Sequence, residues 1–178
     1  MRLPYVPNPP PTSTPEEAEI LALVQSRRAP GPLQAIDLTL LHAPPIASGW
    51  AAFLGAVRNR STLPADIREI SVLRVAVLCQ SEYEINEHTP YARRAGVSEA
   101  EITSVLNGSK EGLNEMQCAA VELAEAMTRD VKVPRQIFEK LRKWLNDRQM
   151  VEITATVAAL NCAARFLVAL DVGEFDSE

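Results

Sequence analysis

Apolar and polar residues alternate along the chain with helical spacing, and capping signals divide that pattern into segments. Thr14, Pro15 and Glu17 form a capping box with proline at the first helical position, predicting a helix to about Arg28. A short helix is predicted from Pro32 to about His42. A third opens at Pro45, with Trp50, Phe53, Leu54 and Val57 at helical spacing. Pro64 opens a fourth, to about Gln80, and Ser81 caps a fifth that ends at Gly96, where a left-handed residue is wanted. Ser98 and Glu101 form another box for a helix closed by Gly108. Asn114 to about Asp130, Pro134 to Leu145 and Asp147 to about Leu170 complete the series. No stretch alternates with period two for long enough to suggest a strand. The expected fold is all-α, a bundle of about eight or nine helices.

Two segments lack a polar side. In IREISVLRVAVL (67–78) only Arg68, Glu69, Ser71 and Arg74 interrupt the apolar run, and in ITATVAALNCAARFLVAL (153–170) only threonines, Asn161 and Arg165 do. Helices apolar all round are central in a bundle or span a membrane. The second is long enough to span, but Asn161 and Arg165 near its middle are costly in lipid, which favours a buried bundle helix. Arg74 and Arg165 then need carboxylates or backbone carbonyls as partners, Glu152 being one candidate.

Composition sharpens this picture. The 178 residues carry 18 Lys+Arg and 23 Asp+Glu, a formal charge of −5, and are 47% apolar. That suits one folded domain, 15–178, behind an arm at 1–14. Six prolines in the first fifteen residues make the arm extended, either a loose tail or a strap along a neighbouring subunit, the loose tail being the first expectation. The acidic balance, without basic clusters, argues against nucleic-acid partners. Cys79, Cys118 and Cys162 include no close pair, which excludes a disulfide scaffold and a CxxC redox or zinc site. The N-terminus lacks the apolar core of a secretory signal. A soluble cytoplasmic protein with no metal, no cofactor and no membrane partner is expected.

The chemistry concentrates in Arg68–Gly96. On the fifth helix Ile85, His88, Ala92 and Ala95 share a stripe, so His88 points towards the core, and Glu84 four residues earlier can reach its ring. If the chain folds back near Gln80, Glu69 joins them in a partly dry pocket. Two carboxylates around one histidine can separate an acid from a base. Structural alternatives stand beside this reading. Ser81 and Glu84 match a capping box, His88 fits a hydrogen-bonded core histidine, and Glu69 can pair with an arginine. Pro90 should kink the fifth helix and free the Asn86 carbonyl. His42 reads as structural and Cys79 as an inert core thiol.

With LLHAPPIASGWAAFLGAVR, LPADIREISVLRVAVL, SEYEINEH, AGVSEAEI and VEITATVAALNCAARFLVALDV in view, the chain resembles the carboxymuconolactone decarboxylase family within the AhpD-like superfamily, from about Leu41 to Val172. The resemblance implies an all-α fold around a two-helix core and a homo-oligomer, from dimer to hexamer. The family's peroxidase branch carries a glutamate, a CxxC pair and a histidine four residues later. Glu69 and His88 match the first and last, while the cysteine positions hold Ser81 and Glu84. Disulfide chemistry needs a thiolate, so a peroxidase or disulfide reductase is not expected. The decarboxylase branch often reads EYEW-x-x-H here, and Ile85 replaces its aromatic residue.

The resemblance therefore implies a cofactor-independent lyase or isomerase of secondary metabolism, acting on a small oxygenated acid, lactone or polyketide-like intermediate. His88 would be the principal general acid/base, Glu69 its partner or second proton carrier, and Glu84 the group that orients His88 or the substrate. Ser81, Tyr83 and Trp50 would contact substrate. Two other readings stay open: a non-catalytic scaffold of the same fold, and a cyclase or pericyclic-type catalyst using the same pocket.

Overall fold

The computed structural model describes residues 1–173, and the described residues form nine α-helices and no strand. They fall into two compact units, Met1–Arg60 with the segment from Ala169 onward, and Ser61–Val168.

The first unit holds α1 (Pro15–Arg28), α2 (Ala35–Leu40) and α3 (Pro44–Asn59). Thr14 caps α1 by accepting from the Glu17 N–H at 3.2 Å, while the Glu17 carboxylate accepts from Ser13 instead of closing the box. α2 is shorter than expected because its N-terminus is set by Gln34 and Asp37, which cap each other's backbone. Asp37 is buried and also receives both arginines that end α1: Arg27 Nη2 at 2.7 Å, and Arg28 Nε and Nη2 at 2.6 and 3.0 Å. On α3 the buried residues are Ala47, Ala51, Leu54 and Val57. Phe53, at helical spacing with Trp50 and Val57, is exposed, and Ala47 and Ala51 take inward positions instead.

The arm at 1–14 contains no helix, and it is not the loose tail expected first. Arg2 N–H bonds the Leu170 carbonyl at 2.9 Å, Val6 N–H the Leu38 carbonyl at 3.3 Å, and the Tyr5 hydroxyl accepts from Gly173. His42 is structural as expected: its Nε2 lies 2.6 Å from the Pro4 carbonyl oxygen. Unpaired main-chain groups of a proline-rich stretch thereby find partners.

The second unit is built around α4 (Ala65–Leu78). Nine consecutive or near-consecutive residues of this helix, Ile67 and Glu69–Ala76, are buried. On one side Ile67 packs with Ala119, Ala120 and Leu123 of α7 (Glu115–Glu125), Leu141 of α8 (Arg135–Arg142), and Met150 and Ile153 of α9 (Asp147–Leu170). On the other, Ile70 and Leu73 meet Ala92 of α5 (Glu82–Arg94), Ile102 and Val105 of α6 (Glu99–Asn107), and Val121. Each fully buried Ile or Leu contributes about 1.5–3 kcal/mol, so α4 is the energetic centre of the unit. Its charge at Arg74 is met by Glu125, which accepts from Nε at 2.8 Å, and by the Val105 carbonyl at 3.2 Å. The expected Ser98–Glu101 box and the left-handed Gly96 and Gly108 are all present.

Two expectations need correction. The amphipathic stretch to Asp130 does not stay α-helical: α7 gives way to a π-helical turn over Ala126–Asp130. And α9, long and apolar enough to cross a bilayer by length and composition, is buried along one side only. Val151, Cys162 and Val168 face outward, as does Arg165, which bonds the Asn161 carbonyl and the Thr128 carbonyl, backbone partners of the kind expected for it. Glu152 partners neither Arg74 nor Arg165. It takes Arg148 and the backbone and side chain of Thr62.

Candidate functional site

The site is assembled by how α4 stops. Gln80 adopts φ +57°, its N–H bonds the Val77 carbonyl at 3.0 Å, and the Ser81 N–H bonds the Ala76 carbonyl at 2.9 Å. This pair of bonds is the Schellman arrangement, normally built with glycine at the left-handed position. It turns the chain within three residues, Cys79 to Ser81, and lays α5 against α4.

The same geometry decides the role of Glu84. Because the Ser81 N–H is already satisfied by Ala76, no carboxylate is needed to cap it, and the Ser81 side chain makes no cap bond either. The capping-box alternative therefore fails. Glu84 turns inward, with Oε2 3.2 Å from His88 Nε2. From α4, Glu69 Oε2 lies 2.8 Å from His88 Nδ1, across nineteen positions of sequence. The buried residues of α5 are Glu84, His88 and Ala92, so the inward stripe runs at i, i+4, i+8, with Ile85 and Ala95 at its half-buried edge.

Glu69 serves two partners at once. Its Oε1 accepts from Arg68 Nε at 3.0 Å, so the arginine pairing and the histidine pairing coexist. Burial pushes the Glu69 carboxyl up, but the hydrogen bond and charge of His88, with Arg68 behind them, outweigh it and hold the group below its ordinary value. Beyond His88 the Tyr91 ring lies 5.7 Å away, and the Arg94 guanidinium sits 4.5 Å over that ring. Neither Arg68 nor Tyr91 stood out in the sequence. Their signal was position only: one residue before Glu69 on a buried helix, and three after His88 on α5.

Ser81 starts the same helix, and its buried Oγ has no hydrogen-bond partner. Tyr83 is half-buried in the first turn. Trp50 is carried by the first unit, half-buried on α3. The helix runs through Pro90 to Arg94. Among the described residues no cluster of His, Cys, Asp and Glu is arranged to hold a metal ion. Within the trio the reason is visible: the two carboxylates sit on opposite ring nitrogens and do not converge on one point.

A second polar cluster lies at the other end of α4. Asn161 donates to Thr128 Oγ1 at 2.9 Å, Arg165 Nη1 bonds Asn161 Oδ1, and Cys79 Sγ lies 3.6 Å from Arg165 Nη1. Burial pushes the Cys79 thiol up despite Arg165, which suits the inert thiol expected there. Cys118 and Cys162 are also free.

The combination of an all-helical bundle and a glutamate–histidine pair across two adjacent core helices defines a class. Residues 44–126 match the model of the Carboxymuconolactone decarboxylase family. That match spans just under half of the chain, so this part is similar to the family, and the fold is AhpD-like. No curated protein matches the sequence. An uncharacterised peroxidase-related protein with an alkylhydroperoxidase AhpD core from Ralstonia eutropha JMP134 superposes with TM-score 0.76 at 20% identity, covering 98% of this chain and 92% of its own. A peroxidase-related protein from Silicibacter sp. TM1040 gives 0.77 at 18% identity, covering 93% and 90%. The debrominase Bmp8, solved with 2,3,4-tribromopyrrole, gives 0.73 at 16%, covering 91% and 87%.

Proposed function

We propose that the chain is a cofactor-independent lyase or isomerase that moves protons on a small oxygenated acid, lactone or polyketide-like intermediate. The observation that carries this is the 2.8 Å contact of Glu69 with His88, completed by Glu84 at 3.2 Å, in a place nearly closed to water. His88 is the acid/base, Glu69 fixes its ring, and Ser81, with a buried hydroxyl lacking a partner, is the nearest candidate to bind substrate. Thiol chemistry is set aside, because Ser81 and Glu84 stand where the peroxidase branch has its cysteines. The debrominase neighbour supports the idea that this fold admits a small ring compound. The test is turnover of a panel of lactones and β-keto acids by the pure chain. His88→Ala and Glu69→Gln should each lower it ~10²–10⁴-fold with helicity unchanged. Full activity in both variants defeats the assignment.

One observation favours a second reading. All three side chains are buried, and a site packed shut is what a silent scaffold of this fold would show. No turnover across the panel, with no ligand-induced change in the His88 signals, would establish it.

A further inference from the structure

The trio fixes a proton count. Neutral imidazole has one N–H and one lone pair, so it can donate to only one of two flanking carboxylates. In this site both ring nitrogens face a carboxylate oxygen, Glu69 Oε2 at 2.8 Å and Glu84 Oε2 at 3.2 Å. Without an added proton, a lone pair of the ring would face a carboxylate at short range in a dry place, which is repulsive. Among the described residues, the charges that face the ring include these two glutamates at first hand, Arg68 through Glu69, and Arg94 across the Tyr91 ring. With imidazolium, the set His88, Arg68, Glu69 and Glu84 sums to zero.

The same geometry names the exit. Both nitrogens of His88 are occupied, and its side chain is 3% exposed, as is that of Glu69. The Glu84 side chain, at 8%, is the member nearest solvent. We propose that His88 rests as an imidazolium clamped between Glu69 and Glu84, and that Glu84, not His88, passes the proton to substrate. A site loaded with acid acts first by giving a proton, so its substrate class is an electron-rich one, an enol whose carbon accepts it.

The step balances without a co-reactant. The Nε2–H bond of His88 breaks as the Glu84 carboxylate takes the proton. The Glu84 O–H bond then breaks as the enol carbon forms C–H, and the enol oxygen loses its proton to the emptied relay as the carbonyl forms. The net change is a tautomerisation, and the relay ends as it began. Glu84 thereby changes from an orienting group to a catalytic one, and Glu69 is the positioning residue. This inference rests on the acid–base reading of the site, yet it can fail separately.

The full chain contains two histidines, so ¹⁵N-histidine NMR resolves them directly, with His42→Gln removing the other signal. At pH 7 both ring nitrogens of His88 should be protonated, with a midpoint above that of an ordinary histidine because both nitrogens face a carboxylate. In Glu84→Gln, which removes one of the two facing carboxylates, that midpoint should fall. A neutral, single-tautomer His88 at pH 7, or a midpoint unmoved in Glu84→Gln, overturns the resting state. Ketonisation of enol-phenylpyruvate probes the outlet: the wild type should accelerate it, Glu84→Asp should keep part of the effect, and Glu84→Gln should lose it. No acceleration by the wild type, or equal acceleration by Glu84→Gln, overturns the role of Glu84. If His88 proves neutral while lactone turnover still depends on it, only this inference falls.

Discussion

Glu69 is a buried acid whose two oxygens are both committed, one to His88 and one to Arg68. Its pKa is held down in the folded chain, because these partners outweigh burial. A depressed folded value means that the stabilising contribution is complete above the ordinary carboxyl value and is lost as pH falls below it. Chemical denaturation of the wild type against Glu69→Gln should therefore show a stability gap at neutral pH that closes below about pH 4. A gap that widens on acidification would reverse the sign assigned here. Gln80 makes a different contribution. It is exposed and sits at φ +57°, a conformation that costs a side-chain-bearing residue about 1 kcal/mol relative to glycine. Gln80→Gly should raise stability by about that amount in urea, while His88 stays in contact with Glu69. At this scale the sequence was informative about which residues meet, since Glu69, Glu84 and His88 all follow from helical spacing plus a reversal near Gln80. It was ambiguous about Glu84, because the residue pattern of a capping box does not reveal that the Ser81 N–H is taken by Ala76.

Helix ends, more than helix interiors, separate what was legible from what was not. The boundaries at Thr14, Ser98, Gly96 and Gly108 carry their own local signals, and the structure uses them. The ends of α2 and the π-helical turn were not legible, for they are set by longer-range partners: Asp37 gathers Arg27 and Arg28 from α1, and Thr128 is held by Asn161 from α9. Two element-scale predictions follow from such contacts. Asp37→Ala leaves two half-buried guanidinium groups without their carboxylate, and should cost about 3–5 kcal/mol in chemical denaturation. Gly108 ends α6 at φ +76°, where an added Cβ would lie 3.1 Å from Arg74 Nη2. Gly108→Ala thus combines backbone strain with pressure on the Arg74–Glu125 pair, and should lower the unfolding midpoint with a loss of about 1–2 kcal/mol.

At the scale of the whole molecule, the apolar pattern of α9 says what must be covered but not by what. Its Met150 and Ile153 side is closed by the core of the second unit, whereas Val151, 69% exposed, opens onto a cleft of about 520 Å³ with Phe138, Thr154, Ala155 and Ala158. A sequence read one chain at a time makes this helix look fully internal, since a subunit contact and a core contact select the same residues. We propose that a second copy of the chain covers this side, making the protein a homo-oligomer. Light scattering should then give a multiple of the 19.5 kDa chain mass. Val151→Lys places a charge where a partner would sit but where the lone chain is open, so folding should change by no more than about 0.5 kcal/mol. The mass should nevertheless fall towards that of one chain, with helicity retained. A wild type already at one chain mass, or a Val151→Lys assembly as large as the wild type's, would leave the outward side of α9 without that role.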